Sequence, residues 1–563
     1  MPLETNADPL ELGPIAGLGH FHKTLQHDAA TGFVDPAAYL TFHNIAVNGG
    51  DFDKVPQSPG AAKLINPQAG WAHEHLGPNP ADMRMPPPPA VHSLGNAAEM
   101  TELFWMALLR DKSFDTFIAG DPDVEAALTD LRIAYGHALA EFHLGADLPA
   151  SAGKYSLTLQ NLFRANLPDE DKGPLVSQFF LNDIAYGTQI ILQQQFPYAA
   201  GKDYLTNWTD WLKAQNSGNG ADDADYPGDN DYGRNKAYFE CDAYTPAGLR
   251  RIRNMRDLAR FVNKDALHQA YFNAALLLSN WNAPLAPGNP YNTATGAIKH
   301  QRPFGTLGGP HLLAQVSEVA ARALRVVWLQ KWGVYRRLRP EVYGGLMEAQ
   351  ANRGVKCGLP NLAFQTEACK RVVAGHGNHL LPIAFTAGSP AHPAYGAGHA
   401  TVAGACVTIL KAWFDEKALF SDIVKNAIHP ITRQPVNLWA PNASGLDPMN
   451  TYTGTDLTLQ GELNKLAANV AMGRSMGGVH WRTDNTRSLR LGEKIATIIL
   501  RREAGDYQEK PTWSYTNFDG NAVTITADGT VTVAGDKLLE DLYNSFPLIA
   551  PDSISMGVAA GSI

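Results

Sequence analysis

Three segments in the second half of the chain hold the side chains best suited to gripping a small anion and exchanging protons with it. The first, Lys331-Trp-Gly-Val-Tyr-Arg-Arg-Leu-Arg339-Pro340, is densely cationic. Guanidinium groups give oxyanions two directed donors, whereas an ammonium acts as a point charge. By itself this run is equally compatible with cations complementing a helix C-terminus. The second, His392-Pro-Ala-Tyr-Gly396-Ala397-Gly398-His399, is a glycine-rich turn that leads directly into the apolar ATVAGACVTILKAWF. Amides of a first helical turn lack intrahelical acceptors and cradle anions. His399 stands where a proton can pass to or from such an anion, although a capping histidine is also an ordinary structural feature. Neither a dinucleotide fingerprint nor a P-loop is present, because Thr401 stands where a third glycine is needed and no Gly-Lys-Ser/Thr follows. The third segment is Gly473-Arg474-Ser475-Met-Gly477-Gly478-Val-His480-Trp481-Arg-Thr-Asp484. Gly477-Gly478 interrupts helical periodicity and sets His480 on a turn. Asp484 is spaced to accept a hydrogen bond from one ring nitrogen of His480, leaving the other as ligand or nucleophile. A surface loop with a His–Asp contact is the plainer alternative.

Helices must position these segments. Leu312, Val316, Val319, Ala323 and Val327 predict a helix over 311–338 that ends near Arg339, since the residue before a proline is driven out of helical space. Eight helical residues rise ~12 Å and turn ~80° beyond two full turns, so Lys331 and Arg339 meet on one anion only if the helix end bends. Helical patterns are also read at 100–111, behind an Asn96-Ala-Ala-Glu99 capping box, and at 121–146, 172–196, 202–214, 246–282, 361–374, 399–415, 458–473 and 486–504. Gly/Pro/Asn-rich loops at 216–235 and 282–303 separate them. Strand signal is clearest near the C-terminus, where Ala522-Val-Thr-Ile-Thr-Ala and Thr530-Val-Thr-Val533 flank Asp528-Gly529 as a hairpin. The fold class is therefore mainly α, helix bundles with a small C-terminal β-hairpin. Four regions are expected: an irregular arm over 1–95, helical regions over 96–300 and 301–505, and a hairpin and tail over 506–563.

The chain has 563 residues, 45% hydrophobic and 18% charged, with a net charge of −9. It is long enough to need no disulfide staples and too apolar for disorder, and no run of ~20 apolar residues predicts a membrane span. The acidic balance excludes a global field for nucleic acid, so a bound anion must be held by a local cluster of cations. The N-terminus shows neither a basic nor an apolar signal region; no classical signal peptide is read and a cytoplasmic location is favoured. Cys241, Cys357, Cys369 and Cys406 form no CxxC pair. Cys357 and Cys369 are the candidates for pairing, with free thiols the favoured reading.

Order and spacing together carry more than each segment alone. Lys331, Arg339-Pro340, Gly398-His399, Arg474 and His480 resemble the oxyanion site shared by vanadium-dependent haloperoxidases and acid phosphatases. The Lys-to-Arg spacing of eight, His392 seven residues before His399, and MTELFWMALLRD, KGPLVSQFF and FGTLGGPHLL look like the bromoperoxidase branch of red algae and cyanobacteria. The resemblance covers most of residues 96–500. It implies vanadate as cofactor without haem, held by Lys331, Arg339, Gly398, His399, Arg474 and His480, with His480 as the metal ligand. Catalytic roles fall to His399 as acid/base, Lys331 as the group polarising peroxide, His480, and His392 as the group tuning halide access. Hydrogen peroxide, bromide (with chloride or iodide as further halides) and a small organic acceptor are the implied partners, in a homo-oligomer, dimer or dodecamer. No nucleic acid or membrane partner is expected. Calcium is not expected either, because the loop 289–303 has no Asp or Glu. Trp332 and Tyr395 could line the approach, with core packing favoured. The family's serine before Gly-His is replaced by Ala397, which removes one donor while leaving the Ala397 and Gly398 amides. The alternatives are an acid phosphatase working through a phosphohistidine at His480, or a non-catalytic anion-binding or assembly protein with a decayed site.

Overall fold

A computed structural model describes residues 17–117, 120–218 and 248–548. The extreme N-terminus, most of the 216–235 loop and Cys241 lie outside the described residues. The architecture is mainly α. In chain order the helices are α1 (Pro36–Asn48), α2 (Leu94–Leu108), α3 (Pro122–Ala138), α4 (Trp208–Ser217), α5 (Met255–Lys264), α6 (Gln269–Asn280), α7 (Gly309–Leu329), α8 (Pro340–Asn352), α9 (Leu362–Gln365), α10 (Glu367–His376), α11 (Gly398–Trp413), α12 (Phe420–Val424), α13 (Leu459–Met476), α14 (Arg482–Glu503) and α15 (Lys537–Ser545). Among the described residues no helix is long and apolar enough to cross a membrane.

The centre of the molecule is α11, surrounded by α14, α7 and α13. Its sequence is apolar nearly all round, and all its residues but His399 are buried, as a central helix requires. Two glycines set how closely it meets α14. A Cβ at Gly404 would run into the Leu489 carbonyl, and one at Gly492 into the Thr401 carbonyl. This reciprocal approach joins the helix that begins at Gly398-His399 to the helix that begins just after His480.

Residues 17–95 hold α1, started by Asp35 and Pro36 and ended by left-handed Gly49. The stretch packs on the body. Phe21, Phe42 and Phe52 surround Trp332 with ring centroids 5.6, 6.3 and 5.8 Å away, and Lys23 forms a fully buried pair with Glu341 at 3.0 Å.

Other expectations are corrected. Residues 172–196 do not form a long helix. After a single 3-10 turn, Ile184–Tyr186 pairs antiparallel with Gln189–Ile191 around Gly187, whose positive φ a helix cannot accommodate. The helix read to Arg339 stops at Leu329 and is followed by a π-helical turn, Gln330–Tyr335, and left-handed Arg336 (φ 46°). Pro340 opens α8 instead of merely closing α7, because proline suits a first helical position. The cap of α2 is Ser93, whose side chain accepts from the Asn96 amide; Asn96 and Glu99 are buried inside the helix and serve another purpose. The C-terminal hairpin forms as read, Ala522–Ile525 with Val531–Val533, and gains a third antiparallel strand, Trp513–Thr516. Cys357, Cys369 and Cys406 are free and buried, and burial pushes the Cys357 thiol up to about 12.

Candidate functional site

The π-helical turn and the reversal at Arg336 separate Lys331 from Arg339, so the two are not partners along one helix. Each reaches back to the His392–His399 turn from a different side. Lys331 Nζ donates to the Pro393 and Ala394 carbonyls at 2.8 and 3.1 Å and lies 5.5 Å from the Trp328 ring. Arg339, the N-cap of α8, joins all three segments. Its Nε donates to the His392 carbonyl at 2.9 Å and its Nη1 to the Val479 carbonyl at 2.6 Å. The same Nη1 lies 3.0 Å from His480 Nε2, and Nη2 lies 2.9 Å from His392 Nδ1. Arg474, near the end of α13, donates to the Val262 carbonyl at 2.8 Å and stands over Phe385.

The contacts of His480 define its tautomer. Arginine only donates, so Nε2 facing Arg339 offers a lone pair; Nδ1 carries the proton and gives it to Asp484 Oδ2 at 3.0 Å. The same carboxylate oxygen accepts from the Trp481 amide at 3.0 Å, which starts α14 and fixes where the ring stands. Burial, reinforced by Arg339, Lys331 and Arg474, holds the imidazole well below its ordinary range and so neutral. His392 is held down in the same way, by burial and then by Lys331 and Arg339. The cations themselves resist charging: burial and then Arg339 push Lys331 well down, and burial and then Arg474 push Arg339 down to about 9.

His399, the second residue of α11, is partly exposed, and its Nε2 meets Asp265 Oδ1 at 3.0 Å. His392 is the other partly exposed member, whereas Lys331, Arg339 and His480 are buried beneath them. Asp265 also lines a cavity of about 280 Å³ with Phe180, Phe261 and Gln269. Gly398 is the first residue of α11, where a Cβ would come within 3.0 Å of the Trp328 ring. One expectation changes here: the Ala397 amide is already donated to Ser488 Oγ at 2.8 Å, so of the two amides only that of Gly398 remains for an anion.

Trp332 and Tyr395 are fully buried packing residues, the latter bonded to the Pro86 carbonyl. Sequence reasoning missed Asp265, Trp328, Ser488 and Arg337. Asp265 lies 134 residues before His399 at the end of an ordinary amphipathic helix, and nothing local marks it.

The donor set tests what the pocket can hold. Lys331 and Arg339 direct their hydrogen bonds to backbone carbonyls and histidine nitrogens, not to carboxylates. Buried positive charge of this kind calls for an anion, and the lone pair of His480 adds one coordinating nitrogen. Vanadate, an oxyanion whose metal can accept a nitrogen ligand, would fit both demands.

Comparisons with known proteins agree. Residues 311–507 match the family model for the VCPO second helical-bundle domain. The chain is 32% identical over 597 aligned positions to a vanadium-dependent bromoperoxidase of Corallina pilulifera, covering 93% of each. It is 30% identical to one from Ascophyllum nodosum, covering 92% of this chain and 88% of that one. Among solved structures it superposes with a TM-score of 0.80, at 28% identity, on the homohexameric second vanadate-dependent bromoperoxidase of Ascophyllum nodosum, covering 95% and 88% of the two chains. With a cationic pocket of this composition and relatives aligned over nearly its whole length, the chain belongs to the vanadium-dependent bromoperoxidase family.

Proposed function

We propose that this protein is a vanadate-dependent haloperoxidase that uses hydrogen peroxide to oxidise bromide, with chloride or iodide as further halides, to a hypohalous-acid equivalent that halogenates small organic acceptors. The observation that carries the reading is the meeting of Lys331, Arg339 and the Nε2 of His480 in one buried cluster. Lys331, Arg339, Arg474 and the Gly398 amide would hold the oxyanion, and His480 Nε2 would ligate the metal. Bound vanadate supplies Lewis-acid activation of peroxide without changing its own oxidation state. The chain's residues do the rest. Lys331, anchored by two carbonyls, donates toward the oxygen that bromide attacks. His399, backed by Asp265, moves the proton: bromide, peroxide and one proton yield hypobromous acid and water, with bromide oxidised by two electrons and the O–O bond broken. His392, at the partly exposed rim and bonded to Arg339, tunes the halide's approach.

The homohexameric assembly of the structural neighbour supports a homo-oligomer. Dimer or dodecamer is the form the sequence resemblance favours, and light scattering on the purified protein distinguishes these from a hexamer. Dialysed protein given orthovanadate, peroxide and bromide should brominate a dye, and His480→Ala should abolish bromination and vanadate binding together. Hydrolysis of p-nitrophenyl phosphate without any bromination would instead assign the pocket to the phosphatase reaction.

A further inference from the structure

Behind His480, on the side away from the cationic pocket, lies a buried charged network to which the reaction assigns no role. Asp484 uses Oδ2 for the His480 ring and the Trp481 amide, and its Oδ1 accepts from Arg337 Nη1 at 2.8 Å. Arg337 Nη1 also reaches Thr483 Oγ1 at 3.0 Å, and its Nη2 is shared between Asn96 Oδ1 and Glu99 Oε2, each at 2.7 Å. Glu99 Oε1 accepts from the Thr483 amide and hydroxyl at 2.6 and 2.7 Å. Arg337 lies over the Trp481 ring at 4.8 Å, and its own carbonyl accepts from the Ala394 amide at 3.0 Å, beside the carbonyls that hold Lys331. Arg337, Glu99, Thr483 and Asp484 are each at most 1% exposed.

A histidine that binds a metal is aimed by the group on its other nitrogen, and that group must itself be held. Here Asp484 is held by an arginine that α2 fixes in turn. We propose that Arg337 and Glu99 are positioning residues for His480: by clamping Asp484 Oδ1 they force Oδ2 onto the Nδ1 proton and fix the direction in which the Nε2 lone pair meets vanadate. The clamp explains why Asn96 and Glu99, two polar residues, are buried in a helix that is capped by Ser93.

This inference rests on the reading of His480 as the vanadate ligand, so its test has a readout in protein without vanadate. The Nδ1 proton of His480, hydrogen-bonded and shielded from water, should give a low-field proton resonance that disappears in His480→Ala. Arg337→Lys keeps the charge but cannot bridge Asp484, Asn96 and Glu99 at once. It should broaden or remove that resonance and weaken orthovanadate binding at least about tenfold by calorimetry, with native near-ultraviolet dichroism. Thr483→Val changes no charge, removes one hydroxyl from the clamp and should act in the same direction by a smaller factor. A resonance unmoved, with vanadate affinity within twofold of the parent, would overturn the proposal; if Arg337→Lys does not fold, the same criteria applied to Thr483→Val decide it. Should the parent protein show the resonance yet bind no vanadate, the functional reading fails while the resonance alone still decides the clamp.

Discussion

Two groups of buried cations lie within a few turns of each other and have opposite electrostatics. Along α14, Arg482 grips Glu102, with Nε to Oε2 at 2.7 Å, and Arg487 grips Asp147 at 2.8 Å. Burial works against both charges, yet Glu102 beside Arg482, and Tyr395 and then Asp147 beside Arg487, hold both guanidiniums above their ordinary range. Lys331 and Arg339 are equally buried, but their neighbours are carbonyls, histidines and one another, and both are pushed down. Burial is common to the two sets; the partner differs. Arg482 and Arg487 are balanced by carboxylates within the chain, whereas Lys331 and Arg339, bonded to carbonyls and histidines, are the pair for which the proposed function supplies an outside anion.

The comparison breaks most visibly in stability. Arg482→Met strands Glu102 in the interior and should cost about 3–5 kcal/mol in urea unfolding. Lys331→Met strands no charge but takes the donor from the Pro393 and Ala394 carbonyls, and without vanadate it should cost about 1–3 kcal/mol. Adding vanadate acts on the other variant. At a concentration 100 times its Kd the ligand should stabilise the parent by about 2.7 kcal/mol, and Lys331→Met should forfeit most of that gain. If Lys331→Met were as damaging as Arg482→Met without the ligand, the distinction between the two groups would fail.

A third region shows what burial does to a group that can simply discharge. His27, bonded to His22 at 2.8 Å between the N-terminal segment and α4, is held down to about 4, chiefly by desolvation. The unfolded chain protonates this histidine near its ordinary value and the folded protein refuses the proton. Stability is therefore intact above about pH 6.5 and falls as pH drops toward 4, by on the order of 3 kcal/mol from this group alone. His27→Gln should flatten the acid limb of a stability–pH curve by that amount, with little change at pH 8. The paired arginines should show no limb in that window, since, against burial, Arg487 holds Asp147 below the usual carboxylate range and that pair loses its contribution only at lower pH.

The candidate site residues could be picked out because residue type and spacing survive without coordinates: Lys331, Arg339, Gly398, His399, Arg474 and His480 stand in short runs whose order is itself the signal. The long helices after residue 390 were legible for the same reason, their apolar faces being local. What escaped was set by partners distant in sequence. Asp265 joins His399 only because α5 packs beside α13. Glu99 looked like a cap because spacing in a chain cannot tell a residue that turns back to its own helix from one that meets Arg337, which lies 238 residues on. The 172–196 region failed through turn chemistry: Gly187 closes a hairpin in a stretch whose apolar periodicity suggests a helix.

The finest distinction concerns a single missing hydroxyl. Ala397 is the N-cap of α11 and makes no side-chain cap, and its amide is engaged by Ser488. On the proposed function, anion binding at this helix start would depend on Gly398 and on the cations. Ala397→Ser restores an oxygen at a position where two uses compete. Directed at a first-turn amide, it would stabilise the helix by about 1 kcal/mol whether or not vanadate is present. Directed at the oxyanion, it would leave the vanadate-free protein unchanged and add one hydrogen bond to a charged group, about 1.5 kcal/mol or some tenfold in Kd. Lys331 and Arg339 form no hydrogen bond to a carboxylate, so an anion bound beside them would be the stronger attractor for that hydroxyl. The expected outcome is the second: an unchanged melting temperature without ligand and about tenfold tighter vanadate by calorimetry. A raised melting temperature with unaltered affinity would mean that the electrostatic demand of Lys331 and Arg339 is already met without this contact.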